Sequence, residues 1–134
     1  MRPTTLDDAL LTRLAREHGT PLYVYDAATI ESRIRDLAGF DRVRYAQKAN
    51  SNLAVLRVVR RAGAFVDAVS AGEFERALRA GFEARSIVYT ADLFDRAALA
   101  VLVEHRCPVN LGSPFQIEQY AALDAGRDIT LRVN

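Results

Sequence analysis

Lysine is almost absent from this chain of 134 residues. Lys48 is the only lysine among 18 basic residues, and the others are all arginines. Arginine stays protonated in proteins, whereas a lysine amine can be brought to its neutral, nucleophilic form. A single lysine in an arginine-rich chain therefore makes Lys48 the first candidate for a catalytic residue, the alternative being a surface lysine left by chance.

The chain also has no excess of charge of either sign and no long apolar run. Its 18 basic and 17 acidic residues leave a formal net charge of +1, which argues against a nucleic-acid-binding surface. No apolar run approaches the roughly 20 residues of a membrane-spanning helix, and Asp7 comes before any signal-like core could form. The sequence therefore predicts a cytoplasmic protein without nucleic-acid or membrane partners.

Cysteine and histidine are scarce as well. The one cysteine, Cys107, cannot form an internal disulfide, and neither it nor His18 or His105 has the spacing of a metal cluster. No metal site is expected. Half of the residues are apolar and about a quarter are charged, which is typical of a folded globular unit.

Short β-type runs recur at a nearly constant spacing, with starts 22, 22, 21 and 21 residues apart. They are predicted at Val43–Gln47, Phe65–Val69, Ile87–Thr90, Pro108–Leu111 and Ile129–Val133. Helical stretches lie between them, and two begin with capping boxes, Ser70–Glu73 and Ser113–Gln116, which explain these side chains as structural. Two further helices, Leu6–Glu17 and one capped by Asp26, precede the first run.

Strands that alternate with helices at this spacing predict βαβ units and a parallel α/β sheet, either a barrel or an open doubly wound sheet. A leucine-rich solenoid has a similar period, but its repeat signature is missing. A closed eight-stranded barrel takes about 250 residues. We therefore expect the N-terminal part of a longer barrel, or a half that needs a partner.

Alternation along the strands predicts which side chains share the inner face of the sheet. The aliphatic side chains of the last run point to the helices, and the polar ones point inward. The inner set is Arg44, Ala46, Lys48, Phe65, Asp67, Val69, Thr130, Arg132 and Asn134. Lys48 stands at the carboxyl end of its run, which is the end that carries the active site in barrels.

The run Tyr45–Asn52, with the sequence YAQKANSN, resembles the first-strand motif of the pyridoxal-phosphate enzymes with an alanine-racemase-like barrel. Five other runs are similar, in the same order, to segments of the diaminopimelate decarboxylases: Gly19–Asp26, Phe65–Glu73, Ile87–Asp92, Pro108–Ser113 and Leu131–Asn134. Ala71 departs from the family pattern, where glycine or leucine is usual, at a packing position. The resemblance covers nearly the whole chain.

The resemblance implies a partial (β/α)8 TIM-type barrel, with a lead-in segment over residues 1–42 and successive β-α units over 43–134. It implies that Lys48 is catalytic and holds pyridoxal 5'-phosphate as a Schiff base, and that Arg132 and Asp67 contact this cofactor. An inward-facing Arg132 needs an anionic partner. The cofactor side is one candidate for that partner, and an internal ion pair with Asp67 is the other.

The activity implied by the resemblance is decarboxylation of meso-diaminopimelate, a small amino-acid substrate, to lysine. A longer homodimeric enzyme would perform it, and the isolated segment would be inactive. The rest of the barrel and a C-terminal β-domain would follow Asn134. Alternatives are another barrel enzyme of this group, acting on ornithine, arginine or carboxynorspermidine or racemising alanine, and a non-catalytic cofactor-binding module.

Overall fold

The computed structural model describes residues 6–124 and 126–133, so the predicted position of Asn134 lies outside the described residues. The helices are α1 (Asp8–His18), α2 (Ala27–Arg35), α3 (Leu53–Arg61), α4 (Ala71–Arg79), α5 (Arg96–His105) and α6 (Pro114–Asp124). The strands are β1 (Arg44–Ala46), β2 (Phe65–Ala68), β3 (Ile87–Thr90), β4 (Val109–Leu111) and β5 (Thr130–Leu131). Short 3-10 turns occupy Gln47–Ala49 and Ala84–Ser86.

The five strands form one parallel sheet in the order β1-β2-β3-β4-β5. Each strand pairs with its sequence neighbour, and the register places Ala46 opposite Asp67 and Thr90 opposite Asn110. The prediction of five parallel strands in sequential order is confirmed. The carboxyl ends of all five strands consequently lie along one edge of the sheet.

Four of the five strands are shorter than predicted, and β3 alone has the predicted bounds; β1 and β5 are shortened the most, and both end earlier than predicted on the side of the site. β1 stops at Ala46 because the chain turns into the 3-10 helix, and Lys48 therefore lies in a turn just after the strand. This turn is closed by the Tyr45 hydroxyl, which donates to the Asn50 carbonyl at 3.0 Å. β5 is only two residues long, although the Arg132 N–H still donates to the Leu111 carbonyl at 2.8 Å.

One face of the sheet is covered by helices. Along β2, Val66 and Ala68 are fully buried, whereas Phe65 and Asp67, which alternate with them, are only partly buried, as the predicted alternation requires. Helices α3, α4 and α5 pack their apolar side chains onto the covered face. The buried contributors from these helices are Val55, Leu56, Val59, Phe74, Ala77, Ala98 and Leu102.

Both predicted capping boxes form, but the Glu73 and Gln116 side chains each accept from the backbone N–H one residue before the capping serine and not from that of the serine itself. The Ser70 hydroxyl accepts from the Glu73 N–H at 3.2 Å, and the Glu73 carboxylate accepts from the Val69 N–H at 2.9 Å, one residue before the cap. At α6, the Gln116 N–H donates to the Ser113 hydroxyl at 3.2 Å. The Glu73 side chain is thereby engaged in capping, and its predicted structural role is confirmed.

Gln116 also ties together the loops that follow β3 and β4. Its side chain is buried, its Oε1 accepts from the Gly112 N–H at 2.8 Å, and its Nε2 donates to the Ala91 carbonyl. A side chain that pairs two backbone groups leaves both of them unpaired when it is removed. Gln116 therefore fixes the spacing of two loops at the carboxyl edge of the sheet.

Replacing Gln116 with leucine is expected to lower the free energy of unfolding by about 1 to 3 kcal/mol, because the Gly112 N–H and the Ala91 carbonyl lose their partner. Urea unfolding of the complete protein that carries this chain measures the loss. Gln119→Leu, one turn away on the same helix and partly exposed, is the matched control. Equal losses for the two variants would contradict the role assigned to Gln116.

Candidate active site

A cleft of about 600 Å³ opens at the carboxyl edge of the sheet. The sequence-predicted residues Lys48, Asp67 and Arg132 all line it, although they are far apart in the chain. The described residues that line it are Ala46, Lys48, Asp67, Val69, Thr90, Ala91, Asp92, Asn110 and Arg132. The cleft therefore brings an amine, carboxylates, a guanidinium, a hydroxyl and an amide to one surface.

Lys48 is held in the cleft by the turn that follows β1. Its neighbour Gln47 is completely buried, whereas Lys48 is exposed. The Tyr45 hydroxyl bridges the turn to the Asn50 carbonyl, and the Asn50 side chain in turn accepts from the Asn52 N–H at 2.9 Å. Lys48 therefore extends into the cleft and into solvent from a turn that Tyr45 and Asn50 close by a hydrogen bond.

Asp67 lies on the inner face of β2 and is partly buried. Burial raises the pKa of its carboxyl group above the ordinary value of 3.8, and the nearby Thr90 side chain opposes this rise. The positive charges of Arg44, Lys48 and Arg132 also lower the pKa of Asp67. One carboxylate oxygen, Oδ1, is buried without a hydrogen-bond partner among the described residues. Asp67 therefore supplies an acceptor that other groups in the cleft can use.

Thr90 and Asn110 are site residues that the sequence analysis missed. They face each other across β3 and β4, and the Asn110 side-chain amide donates to the Thr90 hydroxyl at 2.8 Å. A signal for them was present, since each is a polar residue next to buried apolar neighbours in a strand. Thr90 follows the buried Tyr89, and Asn110 sits between the buried Val109 and Leu111.

The ion pair of Arg132 differs from the one considered from the sequence. Its guanidinium lies 3.6 Å from the Asp92 carboxylate, and half of the Arg132 side chain is exposed. Asp92, which is almost fully exposed, lies in the loop after β3. Among the described residues, Arg132 thus forms an ion pair with Asp92 and not with Asp67. Its charge still lowers the pKa of Asp67.

As the pH rises, the difference in the free energy of unfolding between Asp67→Asn and wild type, both free of cofactor, should shift progressively in favour of the variant. Burial raises the pKa of Asp67 in the folded state. Its contribution to stability is therefore full below the unfolded pKa, about 3.9, and is lost as the pH rises through the higher folded pKa. Asparagine has no such titration. Urea unfolding between about pH 3.5 and 8 tests this linkage.

The exposed Asp41→Asn is the matched control for that experiment. A difference between wild type and Asp67→Asn that stays constant over the pH range would show that the Asp67 carboxyl group is not perturbed by burial. The same pH dependence in the Asp41 variant would show that the effect is general and does not belong to the cleft.

The cysteine and the two histidines, which the sequence analysis set aside, are not among the residues that line the cleft. Cys107 is buried, and burial raises the pKa of its thiol to about 11. Its sulfur is consequently a packed thiol at neutral pH. His105 stacks on Phe74 with ring centroids 5.1 Å apart, and His18 ends α1. Within residues 6–124 and 126–133, no three His, Cys, Asp or Glu side chains cluster as metal ligands, and no helix is long and apolar enough to cross a membrane.

The pyridoxal binding domain of the pyridoxal-dependent decarboxylases matches residues 28–134. The chain belongs to this family. The match begins in α2 and includes β1 to β5 and the described residues that line the cleft. Fold class and family therefore agree with the expectation drawn from the strand motifs.

Relatives in this decarboxylase family are similar over the whole chain. The diaminopimelate decarboxylase of Streptomyces coelicolor is 49% identical over 136 residues, which cover 98% of this chain and 31% of that protein. A crystal structure of diaminopimelate decarboxylase superposes with a TM-score of 0.86 at 45% identity, covering 90% of this chain and 30% of the solved one. The chain thus spans about a third of the length of these relatives.

The decarboxylase fold extends to more distant proteins. The lysine decarboxylase of Selenomonas ruminantium is only 21% identical, yet it superposes with a TM-score of 0.85 over 96% of this chain and 35% of its own. At this identity the likeness concerns the fold alone. The five parallel strands and their helices are accordingly the N-terminal part of the barrel that these decarboxylases share.

Proposed function

We propose that the chain is the N-terminal part of a pyridoxal-phosphate-dependent diaminopimelate decarboxylase, which converts meso-diaminopimelate to lysine and carbon dioxide. The observation that carries the proposal is the position of Lys48. The only lysine of a pyridoxal-binding domain lies exposed in a cleft at the carboxyl edge of the sheet, beside Asp67. The 49% identity to a diaminopimelate decarboxylase supports the choice of substrate.

The side chains of the cleft fit pyridoxal 5'-phosphate. Lys48 supplies the amine that would hold it, and Asp67 offers a buried oxygen, Oδ1, without a partner among the described residues. Arg132 adds a guanidinium at the rim, suited to an oxygen anion of the cofactor. When bound, the cofactor supplies an electron sink for the electrons left by the departing carboxyl group.

Residues of this chain also provide for proton transfer, charge balance and space for the ligand. The exposed Lys48 amine can accept or donate a proton within the cleft, because solvent reaches it directly. The Asp67 carboxylate balances the positive charge that gathers there from Lys48 and Arg132. Asp92 holds the Arg132 guanidinium at the rim through its ion pair. The small side chains of Ala46 and Ala91 leave the cleft wide enough for a ring-shaped ligand.

The proposal extends to the protein that contains this chain. We further propose that the chain consists of a lead-in over 1–42 and β-α units over 43–134, that the complete protein is a homodimer, and that it is cytoplasmic. The resemblance of the strand motifs supports the first two, and the sequence composition supports the third. The amino-acid substrate is that of the relatives named diaminopimelate decarboxylase. The isolated segment is expected to be inactive.

The substrate is tested with the complete purified protein and added pyridoxal 5'-phosphate. Release of carbon dioxide and lysine from meso-diaminopimelate is expected, with far weaker turnover of ornithine, arginine and carboxynorspermidine. Preference for one of these, or racemisation of alanine, would reassign the substrate within the family. Covalent cofactor on Lys48 with no turnover of any of them would favour the non-catalytic binding module.

A further inference from the structure

Arginines gather around a second cleft, at the amino edge of the sheet and opposite the edge that carries Lys48. This cleft has a volume of about 710 Å³. Among the described residues, its charged lining comprises five arginines and one acid: Arg42, Arg44, Arg85, Arg106, Arg127 and Asp128. The chain as a whole carries 18 basic and 17 acidic residues. The cleft is therefore a local concentration of positive charge in a chain that is nearly neutral overall.

The five arginines come from the starts of four strands. Arg44 is the first residue of β1, and Arg42 lies two residues before it. Arg85 lies in the 3-10 turn before β3, Arg106 lies between α5 and β4, and Arg127 lies between α6 and β5. Because the strands are parallel neighbours in one sheet, their starts meet along a single edge. The fold thus brings together charges that are far apart in the sequence.

Two of the guanidinium groups are held against one aromatic ring. The Cζ atoms of Arg42 and Arg44 each lie 5.8 Å from the centroid of the Phe65 ring, which is within the range of a cation–π contact. Within the part of the chain that the structure describes, neither arginine forms an ion pair with an acid. Both positive charges are therefore placed at the cleft without a carboxylate from the described residues to neutralise them.

Arg127 is fixed by hydrogen bonds. Its guanidinium donates to the Arg106 carbonyl and, at 3.3 Å, to the hydroxyl of the buried Tyr120. Arg106 ends α5 with a φ of 49°, in the left-handed region where glycine is the usual residue. Arg85 differs from the others, because it pairs with the Glu83 carboxylate. The lining is therefore partly ordered in advance, which lowers the cost of binding a ligand.

Such a lining suits a small oxyanion that carries several negative charges. A guanidinium group presents a planar fork of N–H donors that matches the oxygens of a phosphate group. The volume of the cleft is that of a small-molecule site, for which about 300 to 1,000 Å³ is usual. A nucleic acid needs a basic surface that follows its backbone over many phosphates. A single cleft in a chain of net charge +1 does not provide that surface.

The positions of the arginines keep the cleft accessible in a closed barrel. The remaining strands of a complete barrel stand between β5 and β1. Arg42, Arg106 and Arg127 lie in the segments that precede their strands, so they belong to the rim at the amino end and not to the wall. Closure of the barrel therefore leaves these charges around a mouth that an anion can enter from solvent.

We propose that the amino edge of the sheet carries a binding site for a multiply charged oxyanion of the phosphate class, held by the guanidinium groups of Arg42, Arg44 and Arg127. The inference goes beyond the proposed function and does not depend on it, because the Lys48 cleft lies at the opposite edge of the sheet. Asp128, the acid on the described lining, opposes binding of such an anion.

The test titrates pyrophosphate into the complete protein, followed by calorimetry in a buffer without phosphate or divalent cations. The protein is first loaded with pyridoxal 5'-phosphate and freed of the excess, so that a phosphate site of the cofactor is already filled. Arg44→Gln is expected to weaken binding about tenfold or more, because charged hydrogen bonds to the anion are lost. Added sodium chloride should weaken binding to wild type, since salt screens exposed charges.

Three further variants separate the cleft from a general effect of charge. Arg42→Gln should weaken binding in the same way, and it serves as the test if Arg44→Gln does not fold. Arg57→Gln removes an arginine on α3, outside the lining, and should leave the affinity unchanged. Asp128→Asn removes the acid and should tighten binding by about threefold, because a repulsive charge is lost.

A nucleoside diphosphate, ADP, is titrated in parallel to identify the source of the anion. Binding of ADP as tight as that of pyrophosphate would assign the site to the phosphates of an organic molecule, and binding of pyrophosphate alone would assign it to a free anion. Either result supports the site, provided that Arg44→Gln or Arg42→Gln weakens it.

Absence of pyrophosphate binding by wild type at low salt would overturn the inference, and it is the result expected if acids from the rest of the barrel fill the cleft. Equal weakening in Arg57→Gln and Arg44→Gln would overturn it as well. Neither result bears on the proposed function, which fails only if Lys48 does not capture the cofactor or the complete protein does not act on its substrate.

Discussion

Replacing Lys48 with arginine is expected to abolish covalent capture of pyridoxal 5'-phosphate and to reduce turnover by more than about a hundredfold. Arginine keeps the positive charge in the cleft but offers no nucleophilic amine at any accessible pH. Asp67 and Arg132 then remain in place, and only the amine is lost. Absorbance of the bound cofactor and borohydride labelling followed by mass spectrometry measure the effect in the complete protein.

Lys48→Ala should lose capture in the same way, and added small amines should restore a trace of activity. Arg57→Lys provides a matched control, because it introduces an amine on α3, outside the residues that line the cleft. That new amine should remain unlabelled. Retention of both the cofactor absorbance and the decarboxylation in Lys48→Arg would refute the assignment of this chain to the chemistry of the family, whatever its fold.

The largest effect on stability is expected at Phe74. Its side chain is fully buried on α4, with its ring centroid 6.4 Å from that of Tyr89 and 5.1 Å from that of His105. Phe74→Ala leaves a cavity between α4 and the sheet, and the free energy of unfolding should fall by about 3 to 5 kcal/mol. Urea unfolding of the cofactor-free complete protein measures this loss.

Phe115→Ala supplies the comparison for Phe74, because this phenylalanine is 60% exposed on α6. Its substitution should change the free energy of unfolding by no more than about 0.5 kcal/mol, as is usual at the surface. Losses of similar size at the two positions would show that the core does not centre on the contact between α4 and β3.

The order and direction of the strands could be predicted from sequence because each βα unit repeats the same local signals. The starts of α4 and α6 followed from Ser70 and Ser113, whose hydroxyls do accept the expected backbone hydrogen bonds. Strand alternation then placed Lys48 and Asp67 on one face. These inferences need only local chemistry and the two-residue period of a strand.

The rest of the site depends on contacts that no local pattern encodes. β1 ends early because the chain enters a 3-10 turn, which is closed by the hydrogen bond from the Tyr45 hydroxyl to the Asn50 carbonyl. Arg132 forms an ion pair with Asp92, which lies in a loop whose path is not set by strand alternation. The link between Thr90 and Asn110 depends on the register between β3 and β4, which sequence periodicity leaves open by two-residue steps.

The contrast between Gln47 and Lys48 has a consequence for motion in the cleft. Gln47 is completely buried, and neither atom of its side-chain amide has a hydrogen-bond partner among the described residues, whereas its neighbour Lys48 is exposed. The turn is closed by the Tyr45 hydroxyl, and the flexible methylene chain of Lys48 is the part that can move to reach a ligand. Cofactor loading then requires no opening of the fold at β1, because the amine is already exposed, and amide hydrogen exchange at Gln47 should be the same before and after loading.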